Sequence, residues 1–378
     1  LLTSRQQIGC TAGEDLDVIA TQVPVAVLRQ LRAVVAHLVT LASRRGLGKE
    51  IKVQMTFDVN SIDHFAPKMG DDPYWADSSW FSWAIPDRNI TGFFYNHFRP
   101  NMNCLLGGPA MWDLSGQHSW EFPYYDWQLM RTLPEGRYGV DYDKYHWTAP
   151  WSMSIELLEP LKRYKLGYNR HGFVLDLEFE ATAEPSFIGA DAADGLEHAF
   201  SMHFEQPGRI KGTVSVDGER YAVDTFSIRD GSYGRRFLED FTPGGYTWST
   251  ANEKTGWHLI AQDSENSRET KIWGGYLLRD GTLSKLVRGV RRVVERAGPR
   301  PVRLEIDAED ALGRHLHAVG REQVPAELTL FPDRSQWWTL YQWDYDGFTD
   351  AVGEDQEYYP LHAFRRWHRA GPKAWALR

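Results

Sequence analysis

The ten residues Val214-Ser-Val-Asp-Gly-Glu-Arg-Tyr-Ala-Val223 constrain this chain more than any other stretch. Apolar and polar side chains alternate on both sides of Asp217-Gly218. Alternation of period two puts one face of a strand in a core, and Asp-Gly accepts the positive φ values of a two-residue turn. The segment reads as a β-hairpin. Its second strand runs on through Phe226-Ser-Ile-Arg-Asp-Gly-Ser-Tyr-Gly-Arg-Arg236 and ends in a concentration of charge: Arg229, Asp230, Arg235 and Arg236, beside Ser232 and Tyr233. A carboxylate among arginines at a strand end can donate a proton, accept one or form a structural ion pair. What the chain does turns on which of these Asp230 is.

Strand and turn signals recur along the chain. Strands are expected at 79–85, 90–98, 125–132, 147–157, 161–168 and 173–183, then at 209–216, 219–229, 235–241, 245–251, 257–263, 271–279, 301–308, 314–321 and 337–345. Turns fall at Ser115-Gly116, His171-Gly172, Asp217-Gly218 and Asp280-Gly281. Aromatic residues make up 13% of the chain, with 16 Trp, and 33 Gly and 19 Pro supply turns, which favours many short antiparallel strands. One helix is expected inside this region, at 284–297, and the basic residues between Lys285 and Arg300 read as its solvated face.

A weak internal repeat links Phe81-Ser-Trp-Ala-Ile-Pro-Asp-Arg-Asn-Ile-Thr-Gly-Phe93 to Trp248-Ser-Thr-Ala-Asn-Glu-Lys-Thr-Gly-Trp257. Each copy is followed by a Gly-Gly pair, 107–108 and 274–275, and a further turn. The expectation is a mainly β protein of two antiparallel barrel or sandwich domains, 51–190 and 191–378, meeting near 185–197. Residues 24–44 form an amphipathic pattern with Leu28, Leu31, Val35, Leu38 and Ala42 on one stripe, and Arg29 and Arg32 exclude a membrane span or signal core. Residues 1–50 are expected to be a helical extension outside the β region and dispensable for folding. Ile51 to Val59 alternates as a strand, although a natural start at Met55 is also open.

The net charge of −9 argues against nucleic acid as a partner. Two cysteines, Cys10 and Cys104, rule out a disulfide framework and point to a reducing, cytoplasmic setting. No zinc-type spacing is visible, and the Gly pairs lack phosphate-loop spacing.

Candidate chemistry gathers around Asp230. His203 and Glu205 stand two apart in the preceding strand and so share a face; with Asp230 they make a proton-handling set. The bland alternatives are an exposed His–Glu pair and an Arg–Asp bridge using Arg229, Arg235 or Arg236. His97, Trp248, His258, Trp273 and Tyr233 lie in aromatic strands that can line a substrate cavity or simply pack a core. His118 to Trp127 is dense in aromatics and acids, as a pocket rim or a sugar-stacking surface would be.

The order of a His-containing strand at 198–206, a strand–Asp-Gly–strand hairpin at 210–224 and Asp230-Gly-Ser-Tyr-Gly-Arg-Arg236 resembles the tandem lipocalin-like superfamily. That superfamily includes carotenoid hydratases, tocopherol-cyclase-like proteins and lipocalin-like pericyclases, and the resemblance extends over roughly 70–370. Its motif is Asp-His-x-Trp-Gly-x-Arg; here Gly231 replaces the His and Tyr233 the Trp. The resemblance implies two barrel-like domains, a ligand cavity between or within them, and no metal or organic cofactor. It further implies that Asp230 protonates a substrate double bond with help from His203. Ile228 and Glu205 stand where the hydratases have Tyr and Trp, which points to a different apolar substrate or a different acid–base reaction. Three functions follow: a cofactor-independent enzyme on a terpenoid-like or polyketide-like molecule, a non-catalytic lipid or terpenoid carrier, and a carbohydrate-active β-protein.

Overall fold

The structure, a computed structural model, describes residues 62–63, 71–132, 145–189, 202–236, 243–262, 269–331, 334–371 and 373–374. The helix expected at 24–44 and the strand at 51–59 lie outside the described residues. The strands are β1 (Trp75–Ile85), β2 (Ile90–Arg99), β3 (Cys104–Trp112), β4 (Tyr124–Tyr125), β5 (Gln128–Thr132), β6 (Trp147–Thr148), β7 (Ser154–Glu159), β8 (Arg163–Arg170), β9 (Phe173–Ala181), β10 (Ser186–Gly189), β11 (Met202–Val216) and β12 (Glu219–Arg235). These twelve form one antiparallel sheet whose central path is β4-β3-β2-β1-β12-β11-β9-β8-β7-β6. Then β13 (Gly244–Asn252), β14 (Thr255–Gln262), β15 (Glu269–Arg279), β16 (Thr282–Ala297), β17 (Arg300–Asp310), β18 (His315–Leu328), β19 (Arg334–Tyr345) and β20 (Phe348–Pro360) close into a barrel. Helix α1 (Leu361–Ala370) follows and lays Trp367 against Tyr359 of β20.

The β11–β12 hairpin turns at Asp217 (φ 50°) and Gly218 (φ 90°), so the alternating pattern places its side chains as the sequence reads. Both copies of the repeat are hairpins, β1–β2 and β13–β14, and both Gly pairs fall in the next strand. The stretch near 185–197 does not separate the two sheets. β10 and β11 pair with each other, and β11 and β12 belong to the first sheet, so the passage into the barrel falls between Arg235 and Gly244.

The helix expected at 284–297 is strand β16. Register shifts between Leu286 and Arg288 and between Val293 and Arg296 break strict alternation, which gives the arginines a helix-like spacing. Val287, Val290, Val293 and Val294 favour the extended form. Nor is every arginine solvated: Arg291 is buried inside the barrel, 2.6 Å from Asp355 and 2.8 Å from Glu357.

Four apolar clusters result, the smallest made of Trp337, Tyr359, Ala363 and Trp367 at α1. The first sheet curls so that Phe81 of β1 meets Tyr164 of β8 and Phe179 of β9, at ring distances of 6.0 and 5.6 Å. The barrel interior holds Trp257, Leu259, Tyr341 and Trp343. A third core joins one face of the sheet to the outer wall of the barrel through Trp80, Phe93, Trp112, Tyr246, Trp248 and Trp338.

Candidate active site between the sheet and the barrel wall

Antiparallel register sets the site. Glu205 of β11 lies directly across from Asp230 of β12, Asp230 from Trp80 of β1, and Trp80 from Tyr95 of β2. Residues paired this way share a face of the sheet. The adjacent row is His203, Ser232, Ser78 and His97. Both rows face the barrel wall, where Tyr246 of β13 and His258 of β14 meet them. Gly231 separates Asp230 from Ser232; a β-carbon there would lie 2.5 Å from the Phe204 ring, so the His of the family motif has no room. Gly275 of β15 (φ 141°) lets that strand pass within contact of the His258 carbonyl.

Glu205 is the hub. His203 Nε2 is 2.5 Å from Glu205 Oε1, His258 Nε2 is 3.3 Å from the same oxygen, and the Tyr246 hydroxyl donates to Oε2 at 2.6 Å. All four side chains are buried. Burial holds the Glu205 carboxyl well above its usual range and both imidazoles below theirs, His203 down to about 4. Asp230 stands at the edge of this cluster, partly exposed to a cavity. Burial chiefly pushes it up to about 7, with the neighbouring Glu205 carboxyl acting the same way and His203, Arg236 and the Tyr246 hydroxyl acting against it.

The cavity has a volume of about 130 Å³. Trp80, Tyr246, Ile260, Leu330, Phe331 and Trp338 supply its apolar wall; His203, Asp230, Tyr95, Arg236, Arg334, Gln336, Gln356 and Tyr358 supply polar groups. Tyr246 and Trp338 meet Trp80 at ring distances of 5.7 and 5.5 Å.

The fold brings together Asp230, His203, Glu205 and His258, and places Arg236 on the same cavity. It separates others. Arg229 makes no bridge to Asp230: it points to the opposite face, donating to Gln206 Oε1 and the Tyr164 hydroxyl, both at 2.7 Å. Arg235 pairs with Asp72 at 3.0 Å. The alternation of a strand forces this, since residues 229, 230 and 231 cannot share a face. Tyr233 also lies on the far face, beside Trp75. Trp248 and Trp273 pack in the core between sheet and barrel, away from the cavity wall. His97 is buried one row away, 3.3 Å from the Tyr95 hydroxyl. Between His118 and Trp127 only Trp120 is strongly exposed among the aromatics; Trp127 stacks on Tyr95 at 5.3 Å and Asp126 is held by Arg131 and Tyr168.

Sequence spacing shows no metal-ligand set, but the fold assembles one: ligand atoms of His203, Glu205 and Asp230 lie within 4.8 Å of one another. Two of its members are already engaged, His203 Nε2 with Glu205 Oε1. Sequence reasoning missed Tyr246, Tyr95, Trp338 and Glu354. The first two were within reach, since each stands two residues before a chosen one, Trp248 and His97, on the same strand face. Glu354 is buried between sheet and barrel, accepting from Ser82 at 2.5 Å and from Trp338 Nε1 at 2.8 Å. Among the described residues no helix is long and apolar enough to cross a membrane.

Similar proteins fit this architecture. An AttH-like protein of Nitrosomonas europaea superposes with a TM-score of 0.54 over 76% of this chain and 93% of its own, at 12% identity. Kievitone hydratase of Nectria haematococca gives a TM-score of 0.48 over 82% of this chain and 94% of its own, at 10% identity. CghA with Sch210972 gives 0.48 over 78% and 93%, at 12% identity. The fold is the tandem lipocalin-like one that the hairpin motif implies. Among curated proteins no sequence matches the chain. Residues 60–347 match the family described as "Domain of unknown function (DUF7064)", and the chain belongs to that family.

Proposed function

We propose that the protein is an acid–base enzyme of the hydratase/dehydratase or isomerase/cyclase type, acting on a hydrophobic terpenoid-like or polyketide-like molecule without an organic cofactor. One observation carries this reading: Asp230, held at about 7, stands on the wall of an aromatic cavity with the hydrogen-bonded His203–Glu205 pair beside it. Groups whose environments push their proton affinities apart divide into an acid and a base. Asp230 in its protonated form delivers a proton to a substrate double bond. The C=C electron pair forms the new C–H bond, and the cation left behind faces the Trp80 and Trp338 rings. His203, neutral near pH 7, then takes a proton from the attacking water or from the adjacent carbon, and passes one on through Glu205 to Asp230, its partner across the strand pair, which restores the acid.

A lipid carrier would use the same apolar wall. It would have no use for a carboxyl raised to about 7 there, which costs stability on ionisation.

The test is turnover in D₂O with a panel of terpenoid alkenes, followed by mass spectrometry. One carbon-bound deuterium per turnover is expected. Asp230→Asn should lower its appearance by about 10²–10⁴, the range for loss of a positioned acid, with the unfolding midpoint retained. Undiminished incorporation in a folded Asn variant would remove Asp230 from the mechanism.

A further inference from the structure

Arg236 has no carboxylate within ion-pair distance among the described residues, though its charge acts on Asp230. Its Nη1 donates to three hydroxyls, Ser78 at 3.1 Å, Ser232 at 3.2 Å and Tyr95 at 3.4 Å. Its Nε is buried and makes no hydrogen bond. Among the described residues it forms no ion pair, although Asp230 lines the same cavity. The hydroxyls position the guanidinium; they do not neutralise it. A second guanidinium, Arg334, lines the same space and lies 5.2 Å over the Phe331 ring. Trp80, Trp338, Tyr246 and Ile260 line the same cavity.

We infer that the ligand of this cavity is an apolar ring or chain bearing an anionic oxygen group, a carboxylate or an ionised enol, which Arg236 binds. A guanidinium held at the edge of an apolar pocket has lost part of its hydration, and an incoming anion restores what it lost. Nη1 is committed to the hydroxyls, so the guanidinium meets the anionic oxygen through its remaining amino group and its charge. The aromatic wall takes the hydrocarbon body, so the cavity orders an amphiphile with its acidic head at Arg236 and its carbon skeleton against Trp80 and Trp338. Asp230 lines the same cavity as Arg236, so the head group fixes which carbon of the skeleton comes within its reach. This inference rests on the proposed function in taking the cavity as the ligand site.

The experiment is calorimetric titration of the full chain with 2-naphthoate and with 2-naphthylmethanol, up to millimolar concentration. The two share a ring system and differ in the charged head. The wild type should bind the carboxylate about tenfold more tightly or better, the scale of a charge-assisted hydrogen bond. Arg236→Gln should bring the two affinities to parity by weakening the carboxylate alone, and Arg236→Lys should keep part of the preference. Equal affinities in the wild type, or a preference that survives in Arg236→Gln, would overturn the inference and leave the cavity as the ligand site. Binding of neither probe would overturn both. If the Gln variant does not fold, the wild-type comparison and the Lys variant still decide the matter.

Discussion

Glu205 and Asp230 are neighbours across one strand pair, yet they do different things to the protein. Glu205 is enclosed by His203, His258 and Tyr246, so its neutral form is the one the site accommodates. Glu205→Gln keeps that shape and should leave the unfolding midpoint nearly unchanged while slowing turnover; Glu205→Ala should lower the midpoint by opening a void and orphaning Tyr246. Asp230 is the group that titrates in the working range. Folded Asp230 holds its proton up to about 7, whereas its ordinary value is 3.8. Between those values the folded state binds more protons, so the stability this group contributes at low pH is lost as pH rises through about 7. Thermal unfolding at pH 5 and pH 8 should show this decline in the wild type and a flatter profile in Asp230→Asn. Turnover should fall over the same interval, because the acid form is the active one. The triad's capacity for a metal has its own check: dialysis against a chelator should leave turnover and unfolding unchanged, and a stoichiometric ion lost together with activity would assign these residues to ligation.

Strands β12, β15 and β16 show how single elements carry the site and the scaffold. In β12, alternation sends Asp230 to the cavity and Arg229 into the first core, so adjacent residues of opposite charge never meet. In β15, Gly275 has a φ of 141°, and a β-carbon there would lie 2.0 Å from the His258 carbonyl oxygen. Gly275→Ala should cost about 1–3 kcal/mol through backbone strain alone, measurable by urea unfolding, and should disturb His258. In β16, Arg291 is enclosed with Asp355 and Glu357 inside the barrel. Arg291→Met would leave Asp355 buried without its cation, while Glu357 keeps Arg296, and should destabilise by about 3–5 kcal/mol, whereas substitution of the exposed Arg288 should change little. Strands with clean alternation, such as β9 and the β11–β12 hairpin, were legible because one face is dry and the other wet. β16 was not, because bulges re-phase its side chains, and β3 was not, because both its faces are buried and it has no polar face to mark its period.

At the scale of the whole molecule the site exists only where sheet and barrel wall meet. Residues 58–378 form one compact unit, and Trp338 of the barrel touches Trp80, Phe93 and Trp112 of the sheet. Unfolding should therefore be a single transition by calorimetry. Trp338→Ala should lower its midpoint by an amount equivalent to about 3–5 kcal/mol; two separate transitions would mean that sheet and barrel fold independently. The sequence by itself determined the β class, the position and turn of the central hairpin, and the shared face of His203 and Glu205. All three follow from rules that act over a few residues: period-two alternation and the φ demands of a two-residue turn. Only the tertiary structure decided that Asp230 is free of the arginines flanking it, that Tyr246 and His258 complete the Glu205 cluster from the barrel, and that Arg236 faces the cavity unpaired. These depend on which strands become neighbours across the sheet–barrel core, on burial that shifts proton affinities, and on contacts spanning tens of residues, none of which leaves a local periodic trace.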